Sequence, residues 1–182
     1  MLINFRLPAL LLIIIWIIYK VIYYRLNKNR FKLHRELLST LCFVYVVGVI
    51  SVTIFPLAIG LQEPFPTRHN YVPFASINEL LHHFYFMVPL RNIGGNILLF
   101  VPFGILMPMK FKKVNKGLKI VLLGFLSSLT IECIQLRLTF RSFDIDDIIL
   151  NTFGVYIGFL IYKWVTLIFI SRQSNERIHQ EL

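Results

Sequence analysis

The chain is poor in acidic residues and cysteine. It has nine Asp and Glu against 19 Lys and Arg, so its formal net charge is +10. Its two cysteines, Cys42 and Cys133, each lie inside an apolar run, where they are expected to be small buried side chains rather than a disulfide. Cys/His spacings of zinc sites, phosphate loops and dinucleotide fingerprints are also absent from the sequence. The sequence therefore gives no motif for a Cys/His metal site or for a cofactor, and none is predicted from motifs.

Apolar residues are abundant. They make up 57% of the chain, and the mean hydropathy is +0.69. A soluble domain of this length cannot bury so much apolar surface, so an integral membrane protein is predicted. The basic residues lie in short loops between apolar runs. That pattern is typical of membrane topology signals and argues against a nucleic-acid partner.

The apolar runs predict an all-α, polytopic membrane protein with about five transmembrane helices. The predicted spans are residues 7–24, 37–61, 93–109, 118–136 and 147–164. Residues 77–90 are apolar with a polar flank but too few to span, which predicts an interfacial or re-entrant helix.

Three parts of the chain differ in composition. Residues 1–36 read as an uncleaved N-terminal anchor with a basic loop, 37–170 as the membrane domain, and 171–182 as a polar cytoplasmic tail, expected to be disordered. Lys and Arg are concentrated after the first and third spans and in the tail. The positive-inside rule then places the N-terminus outside and the C-terminus in the cytoplasm.

Four of the nine acidic residues lie close together, namely Glu132, Asp144, Asp146 and Asp147. A carboxylate within a membrane costs several kcal/mol and is a functional-site hypothesis by default. Other readings stay open: Asp144 and Asp146 suit capping of the fifth helix. Glu132 suits a structural ion pair with Arg137 or Arg141.

Amides accompany these carboxylates. Asn92 and Asn96 are four residues apart, as are Asp147 and Asn151, and each spacing predicts a shared helix face. Asn92 also suits a helix cap, whereas Asn96 suits interhelical hydrogen bonding. Glu132 and Gln135 are three apart and share a face in the same way.

The fifth span carries a stripe of Asp147, Asn151, Gly154 and Gly158. Two glycines four residues apart allow close approach of another helix, so this stripe is expected to face into the bundle.

These side chains predict an outward-facing polar pocket. Carboxylates act as general acids and bases or hold a divalent ion, and arginine suits phosphate or carboxylate. The candidate acid and base are Glu132 and Asp147. The candidate ligand-binding residues are Asn92, Asn96, Gln135, Arg141, Asp144 and Asn151.

The sequence resembles the VanZ-like family of bacterial membrane proteins over roughly residues 37–163. The resemblance rests on Asn70-Tyr71-Val72-Pro73-Phe74, on the stretch RNIGGNILLFVPFG that ends at Gly104, and on Glu132, Gln135, Arg141, Asp144, Asp147, Asn151, Gly154 and Gly158. The family is named for a glycopeptide-resistance accessory protein associated with teicoplanin. The resemblance implies a role at the outer membrane face, with a membrane lipid, a lipid-linked cell-wall precursor or a lipoglycopeptide as partner.

Two functions stay open at this point. One is an accessory protein that binds such a partner, and the other is an intramembrane enzyme that acts on a lipid-linked envelope substrate by acid/base chemistry. A transporter is a weaker third reading because repeated halves are absent from the sequence.

Overall fold

The computed structural model describes residues 2–27, 32–58, 69–138 and 142–180. Among these, five helices are long and apolar enough to cross a membrane: Arg6–Leu26, Leu33–Thr53, Met87–Lys110, Gly117–Arg137 and Ile145–Phe169. The predicted all-α, multi-pass architecture is confirmed. The chain divides into two compact units, residues 1–73 with 129–145 (unit 1) and residues 74–128 with 146–182 (unit 2).

Unit 1 begins with a helical hairpin. The two-residue strands β1 (Leu2–Ile3) and β2 (Leu57–Ala58) pair antiparallel, and between them run α1 (Arg6–Leu26) and α2 (Leu33–Thr53). Trp16 of α1 stacks on Phe43 of α2, with ring centroids 4.4 Å apart. Lys20 forms an ion pair with Glu36 nearer the connecting loop. Paired charges satisfy each other within a largely apolar hairpin.

Unit 2 contains the shorter helices α3 (Ala75–Leu81) and α4 (Met87–Pro89), then a π-helical turn (Leu90–Gly94) that leads into α5 (Gly95–Lys110). A 3₁₀ turn (Lys112–Val114) connects α5 to α6 (Gly117–Leu138). Most of α7 (Ile145–Gln180) also belongs to this unit, whereas the last part of α6 belongs to unit 1.

Glycines allow α5 and α7 to approach at backbone distance. A Cβ on Gly154 would lie 2.2 Å from the carbonyl oxygen of Ile97, and one on Gly158 would lie 2.0 Å from that of Val101. Any side chain at these positions would displace the partner backbone. The predicted packing of the glycine stripe against another helix is confirmed.

The predicted end of the second span and the predicted disorder of the tail were both wrong. The second span ends at Thr53 rather than residue 61, and Pro56 follows three residues later, where a helix loses a backbone donor. The tail from residue 171 was predicted to be disordered, but α7 continues to Gln180.

The predicted helix over residues 77–90 is divided in two. His82 ends α3, and Met87 begins the helix that leads into the third span. Pro89 is compatible with this start because a proline in a first helical turn needs no N–H partner. Both cysteines are free, but only Cys42 is buried as expected, whereas Cys133 is exposed.

Candidate functional site

The predicted site residues lie in two polar clusters, one within each unit. The unit 1 cluster contains Glu132, Gln135 and Asp144. The unit 2 cluster contains Asn96, Asp147 and Asn151. Arg141 lies outside the described residues, so its predicted role stays a prediction.

In unit 1, a short parallel bridge joins Asn70 to the segment before α7. The backbone N–H of Asn70 donates to the carbonyl of Phe143 at 2.8 Å, and the N–H of Ile145 donates to the carbonyl of Asn70 at 3.1 Å. The Asn70 side chain adds a third bond, with Nδ2 donating to Oδ1 of Asp144 at 2.8 Å. These bonds fix the carboxylate of Asp144 just before the first turn of α7.

Glu132 is the buried carboxylate of this cluster. Only 2% of its surface is exposed, and its Oε2 accepts the backbone N–H of Asp144 at 3.1 Å. A charged acceptor on a backbone N–H makes a stronger hydrogen bond than a neutral one. Glu132 therefore helps to hold the segment that enters α7, and its predicted pairing with Arg141 stays a prediction.

Gln135 shares the buried face of α6 with Glu132, as the three-residue spacing predicts. Its Nε2 donates to the backbone carbonyl of Thr53 at 2.6 Å. Thr53 is the last residue of α2, where carbonyls lack partners within the helix. The Gln135 amide therefore supplies a donor that the end of α2 needs.

His69 belongs to the unit 1 cluster and was not among the predicted site residues. Its Nδ1 accepts the backbone N–H of Phe143 at 3.0 Å. The ring of Tyr71 lies near both residues, with its centroid 6.0 Å from that of His69 and 5.3 Å from that of Phe143. An imidazole and an exposed aromatic ring therefore lie beside Phe143, the residue before Asp144.

In unit 2, polar side chains connect three helices. Asn96 of α5 donates through Nδ2 to Oδ1 of Asp147 at 2.5 Å. One turn along α7, Asn151 donates through Nδ2 to the hydroxyl of Ser128 on α6 at 2.8 Å. Asn151 and Ser128 are 4% and 0% exposed, so the predicted burial of Asn151 is confirmed.

Asn92 does not share the environment of Asn96, contrary to the prediction. It is exposed, and its Nδ2 donates to the carbonyl of Val88 at 2.8 Å. Asn92 lies inside the π-helical turn Leu90–Gly94 and Asn96 lies beyond it. A π turn pairs residues five apart, so the four-residue face relation of an α-helix does not hold across it.

Asp146 is a second residue that the predicted site lacked. It is 1% exposed, and its two oxygens accept the N–H groups of Phe74 at 2.6 Å and Ile77 at 3.1 Å. These donors belong to the first turn of α3, where N–H groups have no helical partner. Asp146 therefore caps α3.

Of the missed residues, Ser128 could have been predicted from helical spacing, whereas His69 and Asn70 could not. Ser128 is four residues before Glu132, so helical spacing alone places it on the polar face of α6. His69 and Asn70 contact residues that are 74 positions later in the chain. No local sequence pattern predicts such contacts. Among the described residues, no group of three or more His, Cys, Asp or Glu is arranged to hold a metal ion.

The model of the VanZ/LLP1 family matches residues 42–169. This chain belongs to the VanZ/LLP1 family. Protein VanZ of Enterococcus faecium is 29% identical over 122 residues, which cover 65% of this chain and 69% of that protein. No solved structure matches the chain.

The matched range contains every named member of both polar clusters of this VanZ-like chain, whereas α1 precedes the range. Family membership shows that the chain is a VanZ-like membrane protein. It does not assign a reaction to either cluster.

Proposed function

We propose that this VanZ-like chain is an accessory protein of the bacterial cell envelope that contributes to resistance against glycopeptides such as teicoplanin. Its partner is a membrane lipid, a lipid-linked cell-wall precursor or a lipoglycopeptide. The unit 1 cluster is the proposed partner-binding pocket and opens to the outer face. Family membership and the similarity to Protein VanZ support this proposal.

The observation that carries the proposal is the burial of Glu132. Its carboxylate is 2% exposed in a helix long and apolar enough to span a membrane. Ionisable groups in such segments are rare and commonly mark ligand or ion sites. The neighbouring contacts among Asn70, Asp144 and Glu132 give the group a defined shape, as a binding site requires.

The proposed orientation comes from loop charge. Lys and Arg follow the first and third spans and the last one, so these loops belong in the cytoplasm. The residues around Glu132 and Asp144 then lie toward the outside. An outward cluster suits a partner that is presented at the outer leaflet.

Drug susceptibility tests the proposal. We would express the wild type in a susceptible Gram-positive host and measure the minimum inhibitory concentration of teicoplanin against an empty vector. The wild type is expected to raise it at least fourfold, and Arg141→Ala is expected to abolish the increase at equal membrane levels. An unchanged concentration with the wild type would remove the link to glycopeptides.

The alternative is an intramembrane enzyme with Glu132 and Asp147 as acid and base. The observation that favours it is that both carboxylates are already fixed by hydrogen bonds, Glu132 to the Asp144 N–H and Asp147 to Asn96. An enzyme should lose nearly all activity in both Glu132→Gln and Asp147→Asn, because each change keeps shape and removes charge. A binding protein whose pocket is the unit 1 cluster should tolerate Asp147→Asn, which changes unit 2, and lose function at Glu132 or Arg141.

Mass spectrometry of envelope lipids separates these two functions. New or missing lipid-linked products in cells with the wild type, restored to the vector pattern by both variants, would support the enzyme. An identical lipid profile in all strains would support the accessory protein.

A further inference from the structure

Lysines are concentrated at one end of unit 2. Four of them lie between the end of α5 and the first turn of α6, and a fifth lies on α7. This lysine cluster consists of Lys110, Lys113, Lys116, Lys119 and Lys163. Only a short 3₁₀ turn and its flanking residues connect α5 to α6, so the first four lysines lie at the same end of these two helices.

Phe159 places Lys163 at this end as well. The Lys163 ammonium nitrogen lies 5.6 Å from the centroid of the Phe159 ring. A Cβ on Gly117, the first residue of α6, would lie 3.3 Å from Cε1 of the same ring. Lys163 therefore lies beside the ring that contacts the start of α6, next to the chain segment that carries Lys116 and Lys119.

Acidic residues are distant from the lysine cluster along the chain. No Asp or Glu occurs between Glu79 and Glu132 or between Asp147 and Glu176. Asp147 precedes Lys163 by four helical turns and more on α7, which is about 24 Å along the helix axis. Within the ranges that the structure describes, none of the five lysines forms an ion pair. Several positive charges therefore lie at this end of unit 2 without an acidic partner among the described residues.

Exposed apolar side chains lie next to these lysines in the chain. Phe111 is 47% exposed, Leu118 is 83% exposed and Trp164 is 66% exposed, and each directly neighbours a lysine of the cluster. All three belong to or adjoin helices long and apolar enough to span a membrane. Tryptophan at the end of a span is typical of the membrane–water interface. This surface therefore suits a ligand with an anionic part and an apolar part.

We propose that the lysine cluster binds an anionic phospholipid, with the lipid phosphate among the ammonium groups and the acyl chains beside Phe111, Leu118 and Trp164. Lysine binds phosphate as a point charge, and basic pockets between spanning helices hold phosphate-bearing lipid headgroups. A soluble phosphate uses the charge but not the exposed apolar side chains. The lipid site goes beyond the proposed function, since the proposed partner-binding pocket belongs to unit 1 and the lysine cluster belongs to unit 2.

A topology signal is the other explanation of the same lysines. Positively charged loops stay in the cytoplasm during membrane insertion whether or not they bind a lipid. A topology signal predicts no preference between lipids once the chain has been purified in detergent. A lipid site predicts that the purified chain retains an anionic phospholipid in preference to a zwitterionic one.

Three substitutions and one control test the lysine cluster. Lys163→Gln and Lys116→Gln each remove one positive charge, whereas Lys163→Arg keeps the charge beside Phe159. Lys116 is exposed, so Lys116→Gln removes a charge without removing a core contact. Lys32→Gln is the matched control, since Lys32 is an exposed lysine at the start of α2 in unit 1.

Native mass spectrometry measures the retained lipid. The full chain is purified in neutral detergent with equal amounts of phosphatidylglycerol and phosphatidylcholine of the same acyl chains. The salt concentration is about 0.2 M, where general attraction between exposed charges is largely screened. The wild type is expected to retain mainly phosphatidylglycerol. Lys163→Gln and Lys116→Gln should each lower this retention about fivefold, as expected for the loss of one lysine near an anionic lipid. Lys163→Arg and Lys32→Gln should keep the wild-type ratio.

Equal retention of the two lipids by the wild type would overturn the proposal, and so would an equal loss in Lys32→Gln and Lys116→Gln. Helical circular dichroism checks that each variant is folded, and Lys116→Gln decides the outcome if Lys163→Gln fails to fold. Inorganic phosphate separates the lipid from a soluble anion. If phosphate alone raises the unfolding temperature as much as phosphatidylglycerol does, the site binds a soluble phosphate and the lipid proposal is wrong.

Discussion

Asp147 and Asn151 show how this VanZ-like chain uses buried polar side chains. Each is paired with a residue of a different helix, Asn96 on α5 and Ser128 on α6. Buried polar groups cost free energy unless they are hydrogen-bonded. The pairs therefore fix which faces of three helices meet. Substitution of one partner should lower the free energy of unfolding.

We expect Asn96→Ala to lower the free energy of unfolding by about 1 kcal/mol, because interhelical hydrogen bonds in membrane proteins are worth about 0.6 kcal/mol on average and a charged acceptor adds to this. Asn92→Ala is the control, since Asn92 is exposed and bonds within its own helix. Thermal unfolding in detergent, followed by helical circular dichroism, measures both. Equal loss in the two variants would contradict the assignment of Asn96 as the interhelical partner.

Helix packing depends on small residues at fixed positions. Gly158→Ala would place a Cβ 2.0 Å from the carbonyl oxygen of Val101, and relief of such overlap costs about 1–3 kcal/mol in packed interiors. A Cβ added to Gly48, on α2, would meet nothing within 4 Å, so Gly48→Ala should leave stability unchanged or slightly raise it. Unfolding temperatures in the same detergent compare the two. A Gly158→Ala protein as stable as Gly48→Ala would exclude the close α5–α7 approach.

The short helix α3 depends on Asp146 for its first turn. Asp146→Ala removes the acceptor of the Phe74 and Ile77 N–H groups, and loss of a charged acceptor costs about 1.5–3 kcal/mol. Hydrogen exchange should accelerate in residues 74–81 while the spans stay protected. Glu79→Ala, an exposed change within α3, should leave the exchange of this segment unaltered. Unchanged protection in Asp146→Ala would show that α3 needs no cap from α7.

At the scale of elements, periodic features were predictable and distant contacts were not. The Gly154 and Gly158 stripe follows from a four-residue spacing, and so does the burial of Asn151 beside it. Gln135 meets Thr53 across 82 positions, which helical spacing does not encode. The separation of Asn92 from Asn96 depends on a π turn, for which the local sequence carries no period.

At the scale of the whole molecule, the chain is a multi-pass membrane protein. Five candidate spans were predicted from hydropathy because lipid, unlike water, requires long continuous apolar runs. The boundaries were less predictable, as the end of α2 at Thr53 shows. A helix end is set by proline and tertiary contacts such as that from Gln135, rather than by hydropathy alone.

The orientation of the whole chain in the membrane is a testable prediction. Loop charge places the N-terminus outside and the C-terminus in the cytoplasm. An epitope at the N-terminus should be labelled in intact protoplasts, and one at the C-terminus only after permeabilisation. The reverse labelling would contradict both the orientation and the outward position of the Glu132 cluster.

The central claim is that the cluster around Glu132 carries the function of this VanZ-like chain. The most direct test compares Glu132→Gln with Glu79→Gln, a change of the same chemistry at an exposed position of α3. In a host where the wild type raises the inhibitory concentration of teicoplanin, both variants are brought to equal membrane levels. The account predicts that Glu132→Gln returns susceptibility to the vector value while Glu79→Gln keeps the wild-type value. Full resistance in Glu132→Gln would contradict it.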